Sequence, residues 1–475
     1  MEHALSNRND TAAHVENSVA DALNRAQFSV FHLRTMFAAG MGFFTSAYDL
    51  FIIGTALALI KDEWHLSGTE IGLIGSISLI ATFVGAFLFG RIADIFGRKA
   101  IYGLEALFMV IGALLSAVAP GVSTLLIARV ILGLGIGGDY PLSAVLMSEY
   151  ANAASRGRMV SLVFSAQALG LLAGPIVALT MLAAGVNHDT AWRIMLALGA
   201  LPAALVIHIR RTLPESPRWL ARAKGKGREA AHELASFSLG VAMSKGEDRK
   251  VSRPLTQYLT TLIGTAGTWF LFDYAYYGNT ISTPLIMQHI APHAGLVAST
   301  AMSLLVFAVA AFPGYVLAVL TVDRIGHKTL QVVGFFVMGL AFLLIGIAPA
   351  VSHVLWLFLL VYGLSYFFAE FGPNTTTFLL AAELFPVNLR TTGHGLSAGL
   401  AKVGAFIGAF IFPVLLQAYG LDRTLIITFV FSMVGMVLTM YFIREPKSLS
   451  LEEASREDEL MAAAASHPAS SSASA

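Results

Sequence analysis

The chain has no cysteine and very little charge. Without cysteine, no disulfide framework and no thiolate metal site can form. Lys, Arg, Asp and Glu make up 12% of the 475 residues, roughly half the share usual in a soluble domain. A net charge of +1 gives a polyanion nothing to bind, so nucleic acid is not an expected partner. Residues 1–30 are polar and mixed in charge without an apolar h-region, so no secretory leader is expected. There is no His-Glu-x-x-His metal motif and no phosphate-cradling loop with a lysine. Both absences argue against a membrane enzyme, and no metal or cofactor is expected.

What is present is hydrocarbon. Hydrophobic residues reach 56% and the mean hydropathy is +0.72, which points to a polytopic membrane protein in a lipid bilayer. A spanning helix needs about 20 apolar residues. Twelve such runs are readable, near 31–60, 69–90, 100–119, 123–149, 158–184, 192–210, 257–288, 297–321, 329–349, 353–382, 393–418 and 423–443. The expected fold is therefore an all-α membrane protein of twelve transmembrane helices. Its expected divisions are a polar N-terminal segment (1–30), a six-helix half (31–210), a linker (211–256), a second half (257–443) and a disordered tail (444–475), of which Ala462 to Ala475 is Ala/Ser-rich. Basic residues cluster in the loops after even-numbered runs, for example Arg91, Arg98, Lys99, Arg156, Arg158, Arg210 and Arg211. By the positive-inside rule both termini are expected in the cytoplasm, in a plasma or inner membrane.

The halves repeat weakly. Gly90-x-x-x-Asp94-x-x-Gly97-Arg98-Lys99 follows run two, and Asp323-Arg324-Ile325-Gly326-His327-Lys328 follows run eight. Glu149 with Arg156-Gly157-Arg158 recurs as Glu383 with Arg390-Thr391-Thr392-Gly393, at nearly the same offset along the chain. Asp94 and Arg98 stand one helical turn apart and can pair. Asp adds nothing to a topology signal, so these loops read as a latch that breaks in one access state. Asp94, Arg98, Glu149, Arg158, Asp323, Arg324, Glu383 and Arg390 are the expected gate. These motifs, with Pro214-Glu215-Ser216-Pro217-Arg218-Trp219 after run six, resemble the major facilitator superfamily over about residues 30–445. The resemblance implies two six-helix halves with the substrate near the midplane between them, and a monomer.

Polar residues inside the runs narrow the reading. Gly133 to Ser143 carries four glycines, Asp139 and Tyr140 inside an apolar run. A carboxylate in hydrocarbon must face a cavity or a partner. Trp269, Asp273 and Tyr277 are spaced i, i+4, i+8 and share a helix face. Lys402 needs an opposite charge, from Asp139, Asp273 or an anionic substrate. Lys402 follows Gln167 by the same offset as Asn374 follows Asp139, which puts the four at equivalent places in the two halves. Tyr140, Gln167, Trp269, Tyr277, Asn374 and Lys402 are donors, and converging donors suit an oxyanion. Acids beside that point must be protonated to admit it, which is the logic of proton-coupled symport.

Gly137-Gly138-Asp139-Tyr140-Pro141-Leu142-Ser143-Ala144, the Trp269–Asp273–Tyr277 stripe, Phe371-Gly372-Pro373-Asn374 and His394 to Lys402 resemble the phosphate:proton symporter family. The resemblance implies that Tyr140, Gln167, Trp269, Asp273, Tyr277, Asn374 and Lys402 contact inorganic phosphate. It places Asp49, Glu105, Asp139 and Asp273 on the proton path. Two positions depart from the family. Ser46 stands where the family has an acid, and Glu370 stands where it has a neutral residue. Glu370 is either an added proton site or the lining of a watery vestibule. The alternative cargo is an organic anion or a sugar, and a third reading is a receptor without flux.

Overall fold

The computed structural model describes residues 18–237, 250–291, 293 and 295–457. Residues 1–17 and the Ala462 to Ala475 tail lie outside the described residues. Among the described residues, ten helices are long and apolar enough to cross a bilayer. Two features bring them to the expected twelve. The 53-residue helix Arg390–Phe442 is broken at Gly420, whose φ of 78° is left-handed and suits only glycine cheaply. Leu259–Ile290 is long enough but carries too many Thr, Tyr and Gly residues to score as apolar.

We number the spans α1 (Val30–Glu63), α2 (Gly68–Phe96), α3 (Arg98–Ala117), α4 (Val122–Tyr150), α5 (Arg156–Ala183) and α6 (His188–Thr212) in the first half. The second half holds α7 (Leu259–Ile290), α8 (Val297–Ile325), α9 (His327–Ile347) and α10 (Leu355–Glu383). Helices α11 and α12 are the parts of Arg390–Phe442 before and after Gly420. Within the halves α1 packs on α5, and α7 on α11. Between the halves α2 packs on α11, and α5 on α8. These two seams exchange under the internal repeat, since α8 and α11 correspond to α2 and α5.

Small residues set the α2–α11 distance. A Cβ at Gly90 would lie 2.5 Å from the Thr391 carbonyl oxygen, and one at Gly395 2.2 Å from that of Ala86. Neither backbone can yield without separating the helices. Gly395→Ala should therefore part the halves at this end. Because the chain has no cysteine, a single Thr391→Cys reporter reads this cleanly. We expect faster thiol labelling in the Gly395→Ala background; an unchanged rate would show that the seam tolerates the methyl.

The end that carries the basic loops is built up by short elements. Val19–Asn24, a π-turn at Trp219–Ala223, Gly227–Ala235 and Leu451–Ala454 all lie there. Asn24 and Glu452 both bind Arg218, so the two ends of the described chain meet on one face. The segment expected as a plain linker thus carries helices of its own. Arg210, counted above with the loop residues, is fully buried at the end of α6. It has acids to reach inside the bundle, and its stem covers the distance.

Candidate functional site

The basic end is sealed by two matched clusters. In the first, Arg98 reaches Asp94 and Glu149, each at 3.1 Å, and Arg390 reaches Glu149 at 3.1 Å. Asp94 accepts from the Thr392 amide and hydroxyl, both at 2.7 Å. In the second, Arg156 reaches Glu383 at 2.9 Å, and Asp323 accepts from the Arg158 amide at 2.9 Å. Each Asp thus caps the N-terminus of the facing helix, α11 or α5, where a negative charge is favoured. Arg158 contributes its backbone; Arg156, earlier in the same turn, supplies the cation. Asp323 pairs with neither Arg324 nor Lys328, its neighbours in the loop motif: Lys328 donates to Met440 at 2.8 Å, and the side chain of Arg324 is exposed.

Two further acids hold these loops. Glu215 accepts from the amides of Arg98 and Lys99 at 3.1 and 3.2 Å. Glu445 accepts from those of His327 and Lys328, both at 3.0 Å. Glu445 is the copy of Glu215 in the second half, at nearly the offset that separates Asp94 from Asp323. The repeat would have found it.

A strap closes the same face. Glu452 binds Arg218, Glu457 lies 3.3 Å from Arg222 and 3.8 Å from Arg390, and the Leu449 carbonyl accepts from Arg156 at 3.1 Å. Burial works to raise the Glu452 carboxyl, but the Arg218 and Arg222 guanidiniums outweigh it and hold Glu452 at about 2. A depressed pKa stabilises docking above the ordinary carboxyl range and loses it only as pH falls toward that value. The strap therefore stays docked across neutral pH. Glu452→Gln leaves Arg218 buried and unpaired at a cost of about 3–5 kcal/mol. We expect faster deuterium uptake over residues 446–457 in that variant; unchanged protection would show that the strap is held by packing alone.

Deeper in, the buried acids of the first half are claimed by arginines. Asp49 pairs with Arg129, which also donates to Ser78 at 3.1 Å. Arg210 holds Asp139 at 2.5 Å and Glu105 at 2.7 Å. Glycine makes room for this pair, since a Cβ at Gly42 would sit 1.8 Å from the Asp139 carboxylate. Asp139 is thus spoken for by Arg210 and is not the partner of Lys402. Lys402 has company as a deep cation: Arg129, inside run four, and Arg210 are both at most 1% exposed. A basic residue within an apolar run was the available signal for Arg129.

At the seam between the halves, the expected donors come together. Lys402 on α11 donates to Asp273 at 2.8 Å and to the Tyr277 hydroxyl at 2.7 Å. Its ammonium also lies 4.8 Å from the Tyr140 ring centre and 4.3 Å from that of Tyr277. Trp269 packs against Tyr140 at 6.0 Å between centroids. The stripe Trp269, Asp273, Tyr277 therefore faces one place, as its spacing predicts. Gln167 donates to Tyr140 at 3.4 Å and accepts from Tyr315 at 3.3 Å. Asn374 donates to Tyr315 at 2.8 Å and to Glu370 at 2.5 Å. Tyr315, absent from the sequence inventory, is the link between the halves; a lone Tyr in run eight gave no periodic signal.

A cavity of about 20 Å³, room for about one water, borders this group. Ser46, Asp49, Thr82 and Arg129 line one side, and Tyr277 and Lys402 the other. Ser46 and Lys402 thus border the same small cavity. Glu370 is 0% exposed, so the watery-vestibule reading of it is overturned: it sits in the π-turn Glu370–Asn374, where Gly372 breaks the helix. Ser397, flanked by Gly395 and Gly399, lies mid-helix bonded to Gly393 and Thr265. It makes no strand-to-helix elbow of the kind a hydrolase serine needs.

Two six-helix halves, matched seals at one end and a charged polar group between them define a secondary transporter of the major facilitator fold. The family model for sugar (and other) transporters matches residues 35–457, and the chain belongs to that family. Low affinity inorganic phosphate transporter 4 of Petunia hybrida is 36% identical, over 93% of this chain and 94% of its own. Inorganic phosphate transporter 1-11 of Oryza sativa subsp. japonica is 34% identical, over 93% and 90%. Among solved structures, a proton:xylose symporter aligns at a TM-score of 0.76 and 20% identity, over 91% of this chain and 99% of that one. That likeness bears on the fold. The chain is a multi-pass membrane transporter, not an enzyme.

Proposed function

We propose that this protein imports inorganic phosphate together with protons by alternating access. One observation carries the reading: Lys402, a cation at the seam of the halves, is neutralised by Asp273 and ringed by hydroxyl and amide donors. An ammonium so placed binds an anion when its carboxylate partner is neutral. Protonation of Asp273 frees Lys402 for one phosphate oxygen. Tyr140, Gln167, Trp269, Tyr277 and Asn374 then supply donors to the others. Loss of the proton restores the Lys402–Asp273 pair and expels the anion. The relatives named as phosphate transporters support the same cargo.

Asp49, Glu105 and Asp139 serve the proton path, each through its arginine, and the Asp49–Arg129 pair on the cavity wall is its entry point beside Ser46. Asp94, Arg98, Glu149, Arg156, Asp323, Glu383 and Arg390 form the gate, with Arg158 joining through its amide and Arg324 taking no part in the seal. Positive-inside loops put the basic end and both termini in the cytoplasm of a cell with the protein in its plasma or inner membrane. The sealed basic end then makes this a state closed to the cytoplasm. The protein works as a monomer, each copy holding a complete site.

Competition separates this cargo from the alternatives. Arsenate should suppress labelled phosphate uptake in proteoliposomes, while organic acids and sugars should leave it unaffected. Suppression by a carboxylate metabolite or a sugar, and not by arsenate, would move the assignment to that class.

A further inference from the structure

Among the buried acids of the spans, Glu370 is the exception. Asp49, Asp94, Glu105, Asp139, Glu149, Asp273 and Glu383 each have an Arg or Lys in contact. Glu370 is equally buried, and among the described residues no cation reaches it. Its neighbours are neutral. Asn374 on its own helix donates to it. Tyr276 faces it from α7 and Tyr315 from α8, with Tyr366 one turn before it on α10. From α9, Leu330 and Gly334 pack on the same turn without a charge. The hydrogen bond from the Asn374 amide satisfies a lone pair but does not cancel a charge. An isolated carboxylate in such a place takes up a proton instead. One carboxyl oxygen of Glu370 and the Tyr276 hydroxyl both lack a partner by geometry. A proton on that oxygen would give the hydroxyl one.

The place of Glu370 in the fold makes it a carrier rather than a permanently neutral acid. It opens the π-turn Glu370–Asn374, where Gly372 leaves the helical region with φ −114° and ψ −109°. A break of this kind is where a transporter helix bends between states. Bending there would move the Glu370 carboxyl relative to the seam between the halves. A chain of hydrogen bonds, Glu370–Asn374–Tyr315–Gln167–Tyr140, also ties it to the anion site in the other half. An anion that engages Asn374 or Tyr140 must rearrange those bonds.

We propose that Glu370 is a second proton-carrying group, so that each anion crosses with one proton more than Asp273 alone would carry. The inference rests on the phosphate:proton reading above. The proton enters from the outer aqueous phase onto the free carboxyl oxygen and leaves to the inner phase with the anion. No bond within the anion forms or breaks.

Proton and phosphate fluxes measured together in proteoliposomes test it. Glu370→Gln should carry phosphate with one proton fewer per anion than the unsubstituted protein, and Glu370→Asp should restore the higher ratio. Equal ratios in the unsubstituted and Gln forms would overturn the proposal. Infrared difference spectra of the purified protein give a reading that does not need transport. A protonated-carboxyl band present at neutral pH should be lost in Glu370→Gln; identical spectra would overturn the proposal. Absence of phosphate uptake by the unsubstituted protein would instead sink the phosphate reading, and the infrared band would still decide whether Glu370 holds a proton.

Discussion

Asp273→Asn should convert a concentrating transporter into an exchanger. Asparagine imitates the protonated acid: it fills the same space, carries no charge and leaves Lys402 permanently free for an anion. Binding and phosphate–phosphate exchange should persist. Net accumulation driven by a pH gradient should be lost, because no deprotonation can restore the Lys402 pair and expel the anion, and a proton on Glu370 does not replace that step. Each coupled proton supports about tenfold accumulation per pH unit of gradient, the equivalent of about 1.4 kcal/mol. The variant loses that factor. Normal gradient-driven uptake by Asp273→Asn would show that the Lys402–Asp273 pair, at 2.8 Å, is structural and that the coupling proton sits elsewhere.

Lys402→Ala should nearly abolish phosphate binding. It removes the cation that attracts the anion and leaves Asp273 buried without a counter-charge. Truncating one partner of a buried, hydrogen-bonded charge pair costs about 2–5 kcal/mol, or about 30- to about 4,000-fold in apparent affinity. Raising the phosphate concentration should restore little of the rate. Lys402→Arg keeps the charge but replaces a compact ammonium with a broad planar group, and should recover binding only in part. Saturation curves of labelled uptake and equilibrium binding of phosphate to the purified variants check this. An unchanged apparent affinity in Lys402→Ala would make Lys402 a packing partner of α7.

The sequence and the structure agree where periodicity carried the information. Trp269, Asp273 and Tyr277 fall on one helix face by spacing alone, and Lys402 meets them there. The repeat offset located the Asp94 and Asp323 loops and the donors Gln167 and Asn374. Pairing partners across helices were not legible, because spacing along a chain says nothing of which helix lies opposite. Asp139 and Glu105 looked like open proton sites until Arg210 was found reaching back into the bundle from the end of α6. Asp49 likewise gained Arg129. Tyr315 shows the other limit: the one Tyr of α8 has no periodic partner to distinguish it, yet it bridges Gln167 and Asn374. Glu370 was visible as an oddity, but its lack of a cation is a fact of three-dimensional packing.

The Gly133 to Ser143 stretch now has a divided role. Gly133 and Gly137 let α4 lie against the α2 backbone: a Cβ at Gly137 would stand 2.2 Å from the Thr82 carbonyl oxygen. Asp139 faces Arg210, while Tyr140, one residue on, faces Lys402. One helix turn thus joins a sealed ion pair to the anion site.

Uptake of labelled phosphate into proteoliposomes containing only this protein, under an imposed pH gradient acid outside, tests the account most directly. The predicted result is accumulation above the outside concentration that collapses when a protonophore dissipates the gradient. No uptake, or uptake that ignores the gradient, would contradict it.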